Sequence, residues 1–260
     1  MGRLMKYDLR AAMRLFIPLW LGTLALGLIN RFTVRLEFSE NHVLNFFTGM
    51  AMVLYVLAVL SILVVTLIYI IQRFFQSMLK DEGYLTFTLP VGIDSILWSK
   101  ALTALILVAG SAIIAFASLM ILLVWNVNAE EFMRFFREIR QYLGDITLTA
   151  VTFCVLAAAS TVCNVILIYL SMALGQLAQK HRLAASVGAF VLINMATSML
   201  YSLVLGPVVM RLTESMEFPN LNPMAIVNLA FGVLILNCLI LTAVYYFPTR
   251  YMFKRKLNLE

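Results

Sequence analysis

Six long stretches without an ionisable residue run through the sequence, and they limit its folds more than any other feature. A transmembrane helix needs about 20 apolar residues, and only helices or closed barrels satisfy every backbone polar group inside a bilayer. We therefore predict an all-α membrane protein with six transmembrane helices in a single domain over residues 1–260. The predicted spans are Leu15–Asn30, Val43–Ile71, Ala101–Val127, Thr147–Gly175, Leu183–Pro207 and Ala225–Phe247.

The composition excludes most other classes of protein. The chain is 63% hydrophobic and 12% charged, whereas soluble domains carry about 25% charged residues. A soluble core of this size would leave large apolar patches on its surface, and such patches drive association. The three cysteines, Cys154, Cys163 and Cys238, fall inside predicted spans without CxxC spacing, so no disulfide framework is indicated.

The distribution of basic residues predicts the orientation. Cytoplasmic loops carry an excess of Lys and Arg, and thirteen of the 19 fall on the side that holds both termini. Both termini are therefore predicted to be cytoplasmic. This basic inner face accounts for the net charge of +6, and we expect no nucleic-acid partner. The thirteen residues are Arg3, Lys6, Arg10, Arg14, Arg73, Lys80, Lys100, Lys180, Arg182, Arg250, Lys254, Arg255 and Lys256.

The predicted spans contain no Asp, Glu, Lys, Arg or His. Ion-driven carriers and proton relays usually place ionisable groups inside the membrane, so this class is disfavoured. A carrier that uses only carbonyl and hydroxyl ligands stays open. Because His42 and His181 lie outside the spans and no P-loop is present, we expect no catalytic residue, metal or cofactor in this chain. Energy for uphill transport would then come from a partner.

A segment on the predicted cytoplasmic side, residues 72–100, joins the second span to the third. It opens with an apolar stripe at helical spacing, which predicts a short helix. Gly83 is able to end this helix, and Pro90 forces a break in any helix that follows. The stripe either contacts another protein or packs under the chain's own bundle. Its members are Phe74, Phe75, Met78 and Leu79.

Three short motifs stand in order between these two spans: Asp81-Glu82-Gly83, Leu89-Pro90-Val91 and Lys100. With these motifs, its six spans and its basic amphipathic start, the chain resembles type-2 ABC exporter permeases. The family's longer Glu-Arg and Gly-Thr pattern is not reproduced, because Asp81-Glu82-Gly83-Tyr84 occupies that place.

The resemblance implies partners, a location and site residues. In that family this loop carries a coupling helix that docks on a separate ABC ATPase subunit, and ATP and Mg²⁺ belong to that subunit. The implied assembly also contains a second permease copy or a homologous permease, in the bacterial plasma membrane. The implied coupling residues are Phe74, Phe75, Met78, Leu79 and Glu82.

Two amphipathic segments lie outside the spans. Residues 1–14 place four basic residues on one helical face, which indicates either an interfacial helix on membrane lipid or a topology signal. Pro18 predicts a kink or a late start of the span that follows. Residues 128–146 are predicted to form an outer amphipathic helix that anchors the loop or covers an exit. Its apolar stripe is Phe132, Phe135, Phe136, Ile139, Tyr142 and Leu143, and its polar face is Arg134, Arg137, Glu138, Arg140 and Gln141.

Uncharged polar residues inside the fourth and fifth spans are candidates for lining a path. They share helical faces and suit an amphipathic or lipid-like cargo. Alternatively they form hydrogen bonds between helices, which is the common use of polar residues in membranes. The candidates are Ser160, Asn164, Asn194, Ser198, Tyr201 and Ser202.

Together these features favour the permease subunit of an ATP-driven ABC exporter, which forms a substrate path and couples to a separate ATPase. Two alternatives stay open. One is a non-transporting membrane immunity or scaffold protein that binds through its loops, and the other is an ATP-independent carrier. The cargo, the direction of transport and the choice between homodimer and heterodimer are not indicated by the sequence.

Cysteine labelling tests the predicted orientation. Lys80→Cys and Glu138→Cys are each introduced into a chain whose native cysteines are replaced by serine. An impermeant thiol reagent added to intact cells should label Glu138→Cys, while Lys80→Cys should react only after the membrane is permeabilised. Labelling of Lys80→Cys in intact cells would contradict the orientation.

Overall fold

A computed structural model describes residues 2–33, 42–79, 92–123, 133–134, 137–138, 146–178, 181–205, 207 and 223–255. These residues are almost entirely helical, and no strand occurs among them. A π-helical turn, Tyr201–Leu205, continues the fifth helix. The six long helices are α1 Gly2–Thr33, α2 His42–Leu79, α3 Ile93–Leu123, α4 Ile146–Gly175, α5 Arg182–Leu200 and α6 Pro223–Arg255.

Each of the six helices is long and apolar enough to cross a membrane. The prediction of an all-α, six-span fold is therefore confirmed, and the chain is a multi-pass membrane protein. The segments that meet the length and composition needed for crossing are Leu4–Thr33, Asn45–Met78, Ile93–Leu122, Thr147–Gly175, Arg182–Leu203 and Val227–Lys254.

The first three helices extend beyond the uncharged stretches of the sequence. α1 begins thirteen residues before Leu15, α2 continues eight residues past Ile71, and α3 begins eight residues before Ala101. These extensions bring Asp8, Arg73 and Lys100 into the helical segments. The absence of charge predicted for the spans therefore holds for their middle parts and not for their ends.

Helix α1 runs without interruption from Gly2 to Thr33 and passes through Pro18. The expectation of a late start was wrong, because residues 2–14 form the first turns of α1. Proline removes one backbone donor, and transmembrane helices tolerate this loss. The predicted amphipathic helix is thus continuous with the span. Lys6, Arg10 and Arg14 are exposed on one side of it.

The chain divides into two compact units. The first contains Met1–Arg73 and Ser95–Tyr142, and therefore holds α1 with most of α2 and α3. The second contains Phe74–Asp94 and Leu143–Glu260, and therefore holds α4, α5 and α6 with the adjoining ends of α2 and α3.

An aromatic and aliphatic cluster forms the core of the first unit. The ring of Phe16 meets that of Tyr69 edge-on, with centroids 5.4 Å apart, and lies 5.7 Å from that of Trp20. Such pairs add about 0.5–1.5 kcal/mol to the stabilisation from burial. The cluster consists of Ala12, Phe16 and Leu107, with Leu9, Trp20 and Tyr69 packed around them.

Hydroxyl groups link the three helices of the first unit. Trp20 Nε1 donates to Ser111 Oγ over 3.2 Å, and the hydroxyls of Ser111 and Thr66 lie 3.0 Å apart. Further along, Tyr55 Oη and Ser118 Oγ are also 3.0 Å apart. Hydrogen bonds of this kind hold helices together in lipid, where hydrophobic burial supplies no driving force between them.

Glycine permits the close approach of α1 and α3. A Cβ atom at Gly110 would lie 2.7 Å from the indole ring of Trp20. The missing side chain therefore leaves room for the ring, whose nitrogen then reaches Ser111.

In the second unit α4 packs against both α5 and α6. Thr152 Oγ1 donates to Asn228 Oδ1 over 3.0 Å and joins α4 to α6. The hydroxyls of Thr197 and Tyr245 lie 3.2 Å apart and join α5 to α6. Uncharged hydrogen bonds therefore connect the helices of this unit as well.

The end of α4 lies directly against the start of α5. A Cβ atom at Gly175 would lie 2.7 Å from the Cα and N atoms of Ser186. Because these are backbone atoms, a rotamer change cannot relieve the clash, and the two helices would have to separate.

Gly175→Ala should therefore destabilise the protein by about 1–3 kcal/mol, the usual cost of overpacking. Gly188→Ala is the matched control, since no heavy atom of the described residues, apart from the adjoining backbone of α5 itself, lies within 4 Å of a Cβ at this position. Thermal unfolding of both purified variants in mild detergent measures the difference. Equal stability of Gly175→Ala and the wild type would refute the close contact.

Candidate functional site

Asp8, Arg73 and Lys100 form an ion cluster within the first unit. Both Arg73 Nε and Nη2 donate to Asp8 Oδ1, over 3.0 and 2.6 Å. Lys100 Nζ donates to Asp8 Oδ2 over 3.3 Å. Each carboxylate oxygen is therefore bound to a cation, and the cluster connects α1, α2 and α3.

The cluster is largely withdrawn from solvent. The side chains of Asp8 and Lys100 are 9% and 8% exposed, and that of Arg73 is 31% exposed. Removal of charges from water is costly, so a charge in such a place persists only when it is paired and hydrogen-bonded. Ionisable groups in membrane helices are by default candidates for a functional site, and this cluster is the candidate in the first unit.

Sequence reasoning missed Asp8. The residue is the only acid among the first 36 residues, and it lies within a basic segment. It follows Leu4 and precedes Ala12 and Phe16 at helical spacing, which puts it on the apolar side of α1 and away from Lys6 and Arg10. The sequence signal that identifies Asp8 is its position as an acid on the apolar side of a basic amphipathic helix.

The predicted coupling stripe is partly buried in the chain itself. Phe74 is 1% exposed and Met78 is fully buried. Phe74 stacks on Tyr169 with centroids 3.7 Å apart and meets Phe253 edge-on at 5.9 Å. Phe74 and Met78 are therefore core residues of the second unit, and a coupling role for them stays untested.

The other predicted coupling residues differ from these two. Phe75 is half-buried. Leu79 ends α2, and its side chain lies outside the described part of the structure, as does Glu82. A coupling role for Phe75, Leu79 and Glu82 stays a prediction.

A second ionic contact lies in the second unit. Arg250 Nη2 pairs with Asp94 Oδ2 over 2.8 Å, and Tyr246 Oη donates to Asp94 Oδ1 over 2.5 Å. The two charged side chains are 44% and 45% exposed. Solvent screens such a pair, so its contribution to stability is small.

The predicted path residues mostly bond to their own helices. Asn164 donates to Ser160 O over 2.8 Å, and Asn194 donates to Phe190 O over 2.9 Å. The Asn164 and Asn194 side chains are exposed, as are Ser198 and Ser202.

Two other path candidates, Ser160 and Tyr201, are less exposed than the asparagines. Ser160 donates to Ala157 O and is half-buried. Tyr201 accepts a hydrogen bond from Asn237 and so links the end of α5 to α6. A helix–helix role is thus visible for Tyr201, and path lining stays a prediction for all six residues.

The outer amphipathic segment is described only at residues 133–134 and 137–138. These four residues are helical and exposed, in agreement with the predicted polar positions of Arg134, Arg137 and Glu138. The predicted apolar stripe lies outside the described residues. Where the side chains are described, no three His, Cys, Asp or Glu are grouped to hold a metal ion.

Comparisons with family models, with curated proteins and with solved structures find no match to this chain. The assignment of a function therefore depends on the fold, the ion cluster and the motifs of residues 81–100.

Loss of the Asp8 carboxylate should destabilise the protein strongly. Asp8→Asn takes one charged partner from both Arg73 and Lys100, and the removal of one partner from a buried pair costs about 3–5 kcal/mol. Asp94→Asn is the matched control in an exposed pair and should cost at most about 1 kcal/mol. Unfolding in detergent measures both values, and equal small losses would contradict the buried cluster.

Proposed function

We propose that the chain is the permease subunit of an ATP-driven ABC exporter. It forms part of a substrate path across the membrane, and it couples to a separate ATPase subunit on the inner side. The six-span helical fold supports this proposal, and so do the motifs between α2 and α3.

The observation that carries the proposal is the position of the ion cluster near the end of α2 and the start of α3, the two helices that residues 80–92 join in the chain. Arg73 lies six residues before the end of α2, and Lys100 lies seven residues after the start of α3. At 1.5 Å per residue, each lies about 10 Å along its own helix from the helix end that adjoins this segment. Asp8 joins them to α1, and Lys100 is itself one of the residues on which the resemblance rests.

This arrangement suits the transmission of movement. A push on the loop reaches α2 and α3 together, since both helices bind the same carboxylate, and α1 moves with them. Closure of the partner ATPase subunits would then switch the permease between inward-facing and outward-facing states. No residue of this chain performs covalent chemistry in the mechanism.

The coupling contact is proposed for half-buried Phe75 and for Leu79 and Glu82, whose side chains lie outside the described part of the structure. Phe74 and Met78 support the end of α2 from inside, while Phe75, Leu79 and Glu82 are proposed to meet the ATPase. The assembly contains a second permease, either another copy or a homologue, in the bacterial plasma membrane. Two facing bundles provide a path for a bulky cargo that one bundle does not enclose.

Affinity purification from native membranes in mild detergent tests the partner. We expect the wild-type chain to recover an ATPase in stoichiometric amount, and Glu82→Lys to reduce this recovery about tenfold, the effect of roughly 1.4 kcal/mol. Glu138→Lys makes the same change on the predicted outer side and should leave the recovery unchanged.

Two results would contradict the proposal. If Glu82→Lys retains the ATPase fully, the coupling assignment is wrong. If the chain alone, in vesicles, accumulates a solute from an ion gradient, the energy source is wrong and the ATP-independent carrier is correct.

A further inference from the structure

The exposed side of the inner end of α1 carries a continuous basic row. Lys6, Arg10 and Arg14 are exposed and four residues apart, so they follow one another along the helix at steps of about 6 Å. None of the ion pairs formed among the described residues includes them. Tyr7, which is 68% exposed, lies beside the row.

The acid of this segment does not neutralise the row. Asp8 is two residues from Lys6 and from Arg10, which turns it about 200° around the helix from each. Its carboxylate binds Arg73 and Lys100 on the buried side. The charged residues of this row, Lys6, Arg10 and Arg14, are therefore all basic, and the buried cluster fixes their side of α1 away from the rest of the first unit.

The length of α1 puts this row at the surface of the hydrocarbon. The uncharged stretch Leu15–Asn30 has 16 residues and is about 24 Å long, whereas the hydrocarbon is about 30 Å thick. A short span is accommodated by local thinning of the bilayer and by long side chains that reach towards the headgroups. Arg14 and Arg10 then lie at the level of the lipid phosphates, and Lys6 lies further out.

We propose that Lys6, Arg10 and Arg14 form a binding surface for the phosphate headgroups of anionic phospholipids in the inner leaflet. The charge is complementary, and the row extends about 12 Å, which covers the headgroup layer. Arginine binds phosphate through two parallel hydrogen bonds, which suits this contact. Tyr7 adds an aromatic ring of the kind enriched at this level of a membrane. The inference depends on the membrane location of α1 and on the predicted cytoplasmic position of its start, and not on the proposed transport function.

Lipid retention by the full-length chain tests the surface. The protein is reconstituted in vesicles of equal parts phosphatidylglycerol and phosphatidylcholine with the same acyl chains. After mild solubilisation, native mass spectrometry counts the two lipids that stay bound. We expect an excess of phosphatidylglycerol on the wild type. The α1 variant carries Lys6→Gln, Arg10→Gln and Arg14→Gln together, and its preference should fall by about fivefold for each basic residue replaced.

Two control variants show whether a lost lipid preference comes from this surface, from a general loss of positive charge or from misfolding. Lys254→Gln, Arg255→Gln and Lys256→Gln together remove three charges near the end of α6 and should leave the preference within twofold of the wild type. The charge-conserving combination Lys6→Arg, Arg10→Lys and Arg14→Lys should also retain it. Equal losses in the two glutamine variants, or none in the α1 variant, would overturn the proposal.

Two measurements on the wild type need no variant. Raising the salt to about 0.5 M during reconstitution should lower the preference, because salt screens exposed charges. Millimolar glycerol phosphate should not displace the retained lipid, since it lacks the acyl chains that hold the headgroup in place. Displacement by glycerol phosphate would identify a site for soluble phosphate, and an unchanged preference at high salt would exclude a charged headgroup contact.

Discussion

Water is missing from the interior of a bilayer, and every polar group placed there has to find its partner within the protein. This constraint explains why the backbone of the described chain is helical almost throughout. It also explains the side chains that join the helices. Ser111 of α3 bonds to Trp20 of α1 and to Thr66 of α2, and Thr197 reaches Tyr245 across α5 and α6.

The same constraint explains why the charges of the ion cluster are paired with one another. An isolated Asp8 would be costly near the N-terminal end of α1, and its loss would take one charged partner from both cations. Together they form a contact that depends on the positions of three helices, because each partner comes from a different one. Neutral hydrogen bonds therefore connect the middle parts of α1, α2 and α3, and the ion cluster connects the end of the unit where α1 begins.

Hydropathy was sufficient to predict the six spans, because the energy of burying apolar residues in lipid depends on composition and length alone. It was not sufficient to predict the partners of side chains. The stripe of Phe74 and Met78 has the same periodicity whether it faces another protein or Tyr169 and Phe253, so periodicity cannot separate the two. The pairing of Asp8 was hidden for a related reason. Its partners are 65 and 92 residues away in the chain, and only the packing of α1 brings them together.

The position of Trp20 makes the packing of α1 optically visible. Its ring lies against Gly110, where a side chain would leave no space, and its Nε1 donates to Ser111. Indole fluorescence depends on the polarity and hydrogen bonding around the ring. The chain has three tryptophans, so replacement of Trp98 and Trp125 by phenylalanine would leave Trp20 as a single native fluorophore. Its emission would report in real time whether α1 stays against α3, with no attached dye.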